Sequence, residues 1–218
     1  MHKVEIPKEF NELLVKDILA TTALEPHKNS EIEIRLKSFP NKKGVTQSFF
    51  AQTLTFLKTF SEWEQIKEVE SSDYYYEDNF RTTHIVEEGG DVTRSTIQKK
   101  RVASKDITVH GSASVSTVRI SHTIEETANP KQIVELRLVR VKRRTSFIYK
   151  GWSYDLTKVW EGRNASSVKR RRRTSPPDTY EVEVEKLDNS LFYSTDYLVV
   201  SLLLKAISLL RPAEVYLS

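Results

Sequence analysis

The sequence predicts a mainly β protein with a minority of helix: a closed or nearly closed antiparallel barrel with helices packed outside it. Three observations carry this reading. β-Branched and aromatic residues alternate through the middle of the chain, as in successive antiparallel strands. Turn residues punctuate that stretch, with Gly89 and Gly90 in one hairpin, Gly111 in another and Tyr149-Lys150-Gly151 in a third. Strands also far outnumber helices, and closing the sheet removes the exposed edges that so many strands would otherwise present.

Taken in order, Phe10, Leu13, Leu14, Ile18 and Leu19 recur at helical spacing behind Pro7, which predicts a helix over 7–22. Glu31 to Lys37 alternates as a strand. A second helix runs from Gln47 to Ser61 through Phe50, Leu54, Leu57 and Phe60. Further strands fall near Tyr74 to Tyr76, Phe80 to Glu87, Thr93 to Lys99, Val102 to Val109, Val115 to Glu125, Val134 to Val141, Thr145 to Tyr149, Trp152 to Trp160 and Tyr180 to Leu187, about ten in all. The last helix, 195–210, is capped by Ser194 or Thr195, uses Val199, Val200, Leu203, Leu204 and Ile207, and stops before Pro212. With 218 residues, 38% of them apolar, the whole chain reads as one domain.

Composition narrows the chemistry. The chain has no cysteine, which excludes disulfides, thiolate zinc sites and cysteine nucleophiles and leaves carboxylate and imidazole as metal ligands. No apolar stretch approaches the ~18 residues that span a bilayer, and the first residues lack a signal-peptide core, so the expectation is an intracellular protein without a membrane partner. The formal charge is +4, yet Lys169, Arg170, Arg171, Arg172 and Arg173 alone supply five positive charges, so the remainder is −1. Ser166, Ser167, Ser175, Pro176 and Pro177 flank this run and predict a solvated loop, open to RNA phosphates, a partner or a nuclear-import receptor.

The informative strands carry charge at every second position. Glu31 and Glu33, then Glu181, Glu183 and Glu185, share a face in their strands, while Ile32, Ile34, Val182 and Val184 occupy the other. Arg140, Lys142 and Arg144 alternate likewise, as do Arg119, Ser121, Thr123 and Glu125, and Asp155 with Thr157. Any one such face reads as a wet exterior. Like charges ~7 Å apart repel by roughly 2 kcal/mol per pair at an effective dielectric near 20. Several such strands together are tolerated if acids face bases across a barrel interior, around a metal and an anionic ligand. Carboxylates then hold Mg²⁺ or Mn²⁺ through oxygen while Arg and Lys bind phosphate, which describes a polyphosphate site. The sequence has no P-loop, no Cys or Ser nucleophile motif and no HExxH, so metal-assisted in-line hydrolysis is the chemistry these residue types allow. His2, His27, His84, His110 and His122 read as surface or structural residues. Trp63, Trp152, Trp160 and Tyr74 to Tyr76 read as packing.

The ordered set EIEIRLK, FRTT, QKKR, RISHTIEE, RVKRRTSF, WSYDLT and YEVEVE, from Glu31 to about Leu187, resembles the triphosphate tunnel metalloenzymes. Within them it is most similar to the RNA 5′-triphosphatases that begin mRNA capping in fungi, protozoa and large DNA viruses. The resemblance implies an eight-stranded tunnel with helices outside and removal of the γ-phosphate from 5′-triphosphate RNA, with nucleoside triphosphates as side substrates. It implies Glu31, Glu33 and Glu185 as metal ligands, with Glu181 and Glu183 acting through metal-bound water or by holding neighbouring bases. Arg81, one of Lys99 and Lys100, and Arg119 are implied as phosphate-binding bases, Glu125 as the group that orients the nucleophilic water, and Lys142 and Arg144, supported by Arg140, as γ-phosphate contacts. Asp155 and Thr157 would fix those bases, and an acid before Arg81 would be Asp73 or Asp78. Counting back by twos from Arg140 meets Leu138, Leu136 and Val134, so a bulge or break near Val139 is expected. A guanylyltransferase partner or fused domain, and a nuclear, virus-factory or virion location, are implied by the resemblance alone. Two alternatives stand beside it: a tripolyphosphatase or other small-triphosphate hydrolase, whose first strand would read ExExK where this chain has Glu31, Glu33, Arg35, Leu36 and Lys37, and a non-catalytic polyanion-binding subunit of a capping complex.

Overall fold

A computed structural model describes residues 16–18, 20, 29–38, 43–86, 90–110, 112, 114–129, 135–187, 195–210 and 216–217. Eight strands make the wall: β1 (Ser30–Lys37), β2 (Gln65–Tyr76), β3 (Phe80–Val86), β4 (Val92–His110), β5 (Thr117–Thr127), β6 (Leu136–Tyr149), β7 (Trp152–Gly162) and β8 (Thr179–Lys186). They hydrogen-bond in the order β3-β2-β6-β7-β8-β1-β5-β4, and a β3–β4 pairing closes the circle, every neighbour antiparallel. This is the eight-stranded tunnel expected above. A short β9 (Tyr216–Leu217) pairs with the end of β4.

The expected count of about ten strands becomes nine among the described residues. Two pairs of expected strands are single: β4 runs through Val102 with a bulge between Arg101 and Ala103, and β6 runs unbroken from Leu136 to Tyr149. β2 starts nine residues before the expected Tyr74, because its charged stretch QIKEVESSD hides a strand whose outer face is wet. The irregularity placed near Val139 lies instead between Leu138 and Leu136, opposite Tyr75 and Tyr76. The β6–β7 turn is formed by Lys150 (φ 47°) and Gly151 (φ 74°), a left-handed pair that suits a two-residue hairpin.

The hydrophobic core lies outside the barrel. The outward faces of β1, β7 and β8 bury Ile32, Ile34, Leu36, Leu156, Val182 and Val184 beneath α1 (Gln47–Thr59) and α3 (Thr195–Leu210). α1 contributes Phe49, Phe50 and Leu57, and α3 contributes Leu198, Val199, Leu202, Leu203 and Ala206. Thr46 caps α1 by accepting from the Phe49 amide at 3.2 Å. Trp63 joins a ring cluster with Phe60, Phe147, Tyr149 and Tyr154, and Trp152 and Trp160 are buried, so the packing role expected for all three holds. The expected helix over 7–22 lies largely outside the described residues; 16–18 and 20 are helical, and Ile18 is buried in the core.

The basic run is not a loop. It forms α2 (Ala165–Thr174), capped by the Asn164 side chain accepting from the Ser167 amide at 3.0 Å. Val168 is fully buried against Val141 and Trp160, Arg171 pairs with Asp178, and Arg172 reaches Glu70 at 2.6 Å. One apolar anchor and two ion pairs thus fasten a helix that the flanking serines and prolines disguised. Among the described residues no helix is long and apolar enough to cross a membrane.

α3 packs on β1 and β8, the strands that carry the five alternating acids. Its Lys205 lies over the Trp152 ring, 4.2 Å from the centroid, and burial, followed by the charge of Lys186, pushes its amine down from 10.5 to about 8. Between those values the unfolded chain holds a proton that the folded chain has shed, so stability rises with pH across that window. In urea titrations from pH 8 to 10 the wild type should gain roughly 1–3 kcal/mol that Lys205→Met does not. An equal gain in the variant would contradict this assignment.

Candidate active site

Strand register decides which charges share the lumen. Directly paired residues point to the same face, and Glu33 pairs with Glu185, Arg35 with Glu183, Glu31 with Thr123, Asp155 with Glu183, and Arg144 with Thr157. The same rule carries Asp73 opposite Arg140, Tyr75 opposite Arg81, and Lys99 opposite Glu125. All five alternating acids and the Arg140, Lys142, Arg144 triad therefore line one interior, as the sequence suggested.

Inside, acids and bases interlock. Glu31 accepts from Lys99 and from the Thr123 hydroxyl at 2.8 Å. Glu125 lies 3.1 Å from Arg81 and 3.3 Å from Lys99. Glu181 accepts from Arg140 at 2.7 Å, and Glu183 pairs with Arg35 and, at 3.4 Å, with Arg144. Arg144 donates to Asp155 at 2.8 Å and to the Thr157 hydroxyl at 3.0 Å, and Ser153 donates to Asp155 at 2.5 Å. Asp155 and Thr157 thus hold Arg144 in place from β7.

Two acids stand apart from this balance. Glu33 has only Arg35, at 3.6 Å, and Glu185 makes no hydrogen bond or ion pair among the described residues. Burial, then the charge of Glu183, raises Glu33 to about 7; burial, then Glu31 and Asp155, raises Glu185 to about 8. Glu183 behaves oppositely: burial favours its neutral form, yet Arg35, Arg144, Lys142 and Arg140 outweigh that and hold it at about 2. Glu31 is likewise kept below the usual carboxylate range, burial being outweighed by Lys99. Uncompensated neighbouring carboxylates, Glu33 beside Glu185 with Glu31 two residues along, fit an oxygen-liganded divalent cation. Among the described residues no three acids form a preformed ligand set, because Glu31 is turned to Lys99. The lumen also leaves Arg35 Nε, Arg81 Nε and Arg140 Nε buried without a hydrogen-bond partner, a shortage of acceptors that an anionic ligand would relieve.

Of the expected phosphate-binding bases, Lys100 lies outside the lumen and Arg119 lies within it but is engaged by an acid. Lys100 points outward and lies 3.0 Å from Glu126, because only alternate residues of β4 face in; Lys99 is the inward one. Arg119 faces the lumen but is held by Asp106 in a bidentate pair at 2.6 Å, six residues along β5 from Glu125, so it does not join Glu125. Of the two candidate acids before Arg81, Asp73 is the interior one, buried 2.5 Å from Lys142, while Asp78 sits in the β2–β3 turn at φ 53°. Sequence reasoning missed Arg35, Asp106 and Glu161 as lumen residues and read Tyr75 as packing. Arg35 was legible as the next alternate position after Glu33. Tyr75 faces Arg81 and approaches Asp73 at 3.4 Å, whereas Tyr74 packs on His84 outside. His122 is buried and bonded to Ser30, a structural role as expected.

A closed antiparallel tunnel lined by interlocked acids and bases defines the triphosphate tunnel class. Residues 37–197 match the family model described as mRNA capping enzyme, beta chain, so the chain belongs to the mRNA triphosphatase family, whose members are capping RNA 5′-triphosphatases. In fold it is similar to the RNA triphosphatase Pct1 of S. pombe, solved in complex with the Spt5 CTD, with a TM-score of 0.69 and 17% identity over 97% of this chain and 95% of that one. It is also similar to the Mimivirus capping enzyme triphosphatase, with a TM-score of 0.62 and 15% identity over 94% of this chain and 100% of that one. No curated protein matches it in sequence.

The Asp73–Lys142 pair is buried on both sides, so removing one partner strands the other charge. Lys142→Met should cost about 3–5 kcal/mol in urea unfolding, and adding Asp73→Asn should recover most of it. Additive losses would show that the two side chains do not depend on each other.

Proposed function

We propose that the tunnel hydrolyses the γ-phosphate of RNA 5′-triphosphate ends in a metal-dependent reaction, with free nucleoside triphosphates as side substrates. The observation that carries this is the incomplete charge balance of the lumen, in which Glu185 has no ionic partner among the described residues and Glu33 has only Arg35 at 3.6 Å, while Arg35, Arg81 and Arg140 each keep a buried Nε without a hydrogen bond. A polyanion alone would leave those acids repelling it, and a cation alone would leave the bases idle. Membership of the capping triphosphatase family supports RNA as the substrate.

Glu31, Glu33 and Glu185 would hold Mg²⁺ or Mn²⁺, which when bound polarises a phosphate oxygen and offsets charge on the reacting phosphoryl. Arg140, Lys142 and Arg144, on one strand, clamp the γ-phosphate, and Arg81 and Lys99 take the remaining phosphate oxygens. Glu181 orients Arg140, while Glu183, with Asp155 and Thr157, orients Arg144. Glu125 accepts a hydrogen bond from the attacking water and takes its proton. The water oxygen bonds to the γ-phosphorus as the bridging oxygen leaves on the β-phosphate, giving inorganic phosphate and a 5′-diphosphate end. That product is the acceptor for guanylyl transfer, so a guanylyltransferase, on a partner chain or a fused domain, would consume it in the nucleus or in a viral factory or virion.

The test presents purified protein with γ-labelled triphosphate-ended RNA, ATP and tripolyphosphate, each with Mg²⁺, Mn²⁺ or chelator. Metal-dependent phosphate release from RNA is the expected result, and its absence overturns the reading. Release from tripolyphosphate alone would make the chain a small-triphosphate hydrolase, and binding without release a polyanion-binding subunit. Glu33→Ala and Glu183→Ala should each lower turnover by about a hundredfold or more while the protein stays folded by circular dichroism. Normal turnover in either would remove that residue from the scheme.

A further inference from the structure

We infer that Arg101, at a cavity beneath the β2–β3 turn where the tunnel wall is open, binds the phosphodiester joining the first two nucleotides of the RNA and so separates RNA 5′ ends from free nucleoside triphosphates. This rests on the reading that the tunnel accepts the 5′-triphosphate of RNA.

Among the described residues every other lumen-facing base is paired except Lys67, which is exposed near the start of β2 opposite Ser146. Arg35, Lys37, Arg81, Lys99, Arg119, Arg140, Lys142 and Arg144 each have at least one acid within ion-pair distance. Arg101 shares their face, opposite Thr123, yet makes no hydrogen bond or ion pair among the described residues, and it is exposed. An unpaired guanidinium there has no part in balancing the wall.

Its position is set by where β3 begins. Phe80 pairs with Gln98, so beyond Gln98 strand β4 has β5 on one side and no β3 partner on the other. The β2–β3 turn overhangs this gap: Asp78 and Asn79 hold left-handed conformations, φ 53° and 62°, and Gln98 donates to the Asp78 carbonyl at 3.2 Å. Under the turn lies a cavity of about 450 Å³ lined by Tyr75, Asn79, Arg81, Lys99, Arg101 and Thr123. Arg81 and Lys99 belong to the lumen network around Glu125 and Glu31. Arg101 is two residues further along the same face of β4, about 7 Å from Lys99 where the wall lacks β3, a step comparable with the reach of one nucleotide. With the triphosphate on the inner bases, the next negative charge on an RNA is the first phosphodiester, which ATP and tripolyphosphate lack. A guanidinium suits it, presenting paired donors to two phosphate oxygens.

Steady-state kinetics on a triphosphate-ended dinucleotide and on ATP, with wild type, Arg101→Gln and Arg101→Lys, test this. Arg101→Gln should raise KM for the dinucleotide about tenfold and that for ATP less than about twofold, and should lower the slope of log kcat/KM against log salt by about one on the dinucleotide only. Arg101→Lys should restore that slope, since it keeps the charge. Equal losses on both substrates, or none on either, with a wild type that hydrolyses the dinucleotide, would overturn this inference alone. A wild type that hydrolyses ATP but no triphosphate-ended RNA would overturn the underlying reading and this one with it.

Discussion

The structure depends on one constraint: a barrel lined with charge must balance that charge internally. An unpaired buried ion costs several kcal/mol. Glu183 shows the constraint at work. Fully interior, it is kept ionised by Arg35 and Arg144, which arrive from β1 and β6 on either side of the β7–β8 pair. The apolar residues are correspondingly displaced to the outer face, where α1 and α3 close over them. The usual arrangement of a small barrel is thereby inverted, with oil outside and salt within.

From this inversion the functional geometry follows. Because alternate residues face inward, one acidic strand and one basic strand suffice to place several like charges in a row, and neighbouring strands supply the opposite sign directly, as at Arg35–Glu183 and Arg140–Glu161, or diagonally, as at Arg144–Asp155. The balance is nearly complete where Asp155 and Thr157 hold Arg144, and where Glu181 holds Arg140. It fails at Glu33 and Glu185, whose carboxyl groups retain protons near neutral pH in the absence of a counter-charge. A site complete except for a cation and an anion is suited to bind both together.

Much of this was legible in the sequence because its period-two charge patterning survives intact in the strands. Glu31, Glu33, Glu181, Glu183 and Glu185 needed only alternation to be placed on shared faces, and the resemblance of the whole motif set supplied the closure. What was hidden depended on register or tertiary anchoring. Lys99 and Lys100 are adjacent, and only the β4–β5 pairing says which faces Glu125. Arg119 was drawn away by Asp106, a partner that lies thirteen positions earlier and carries no motif of its own. The helix at Ala165–Thr174 was masked by its serines and prolines because its stability comes from Val168 beneath it and from Asp178 and Glu70 beside it. Tyr75 was lost among three consecutive tyrosines, of which alternation admits only the middle one to the tunnel.

The central claim is the proposal that the lumen takes up one divalent cation, held by Glu31, Glu33 and Glu185, beside its anionic ligand. Calorimetric titration of Mn²⁺ into the purified protein, without substrate, tests it most directly. The account predicts a single site that is lost in Glu33→Gln and in Glu185→Gln and kept in Arg101→Gln. Undiminished binding in both glutamate variants, or no binding by the wild type, would contradict it.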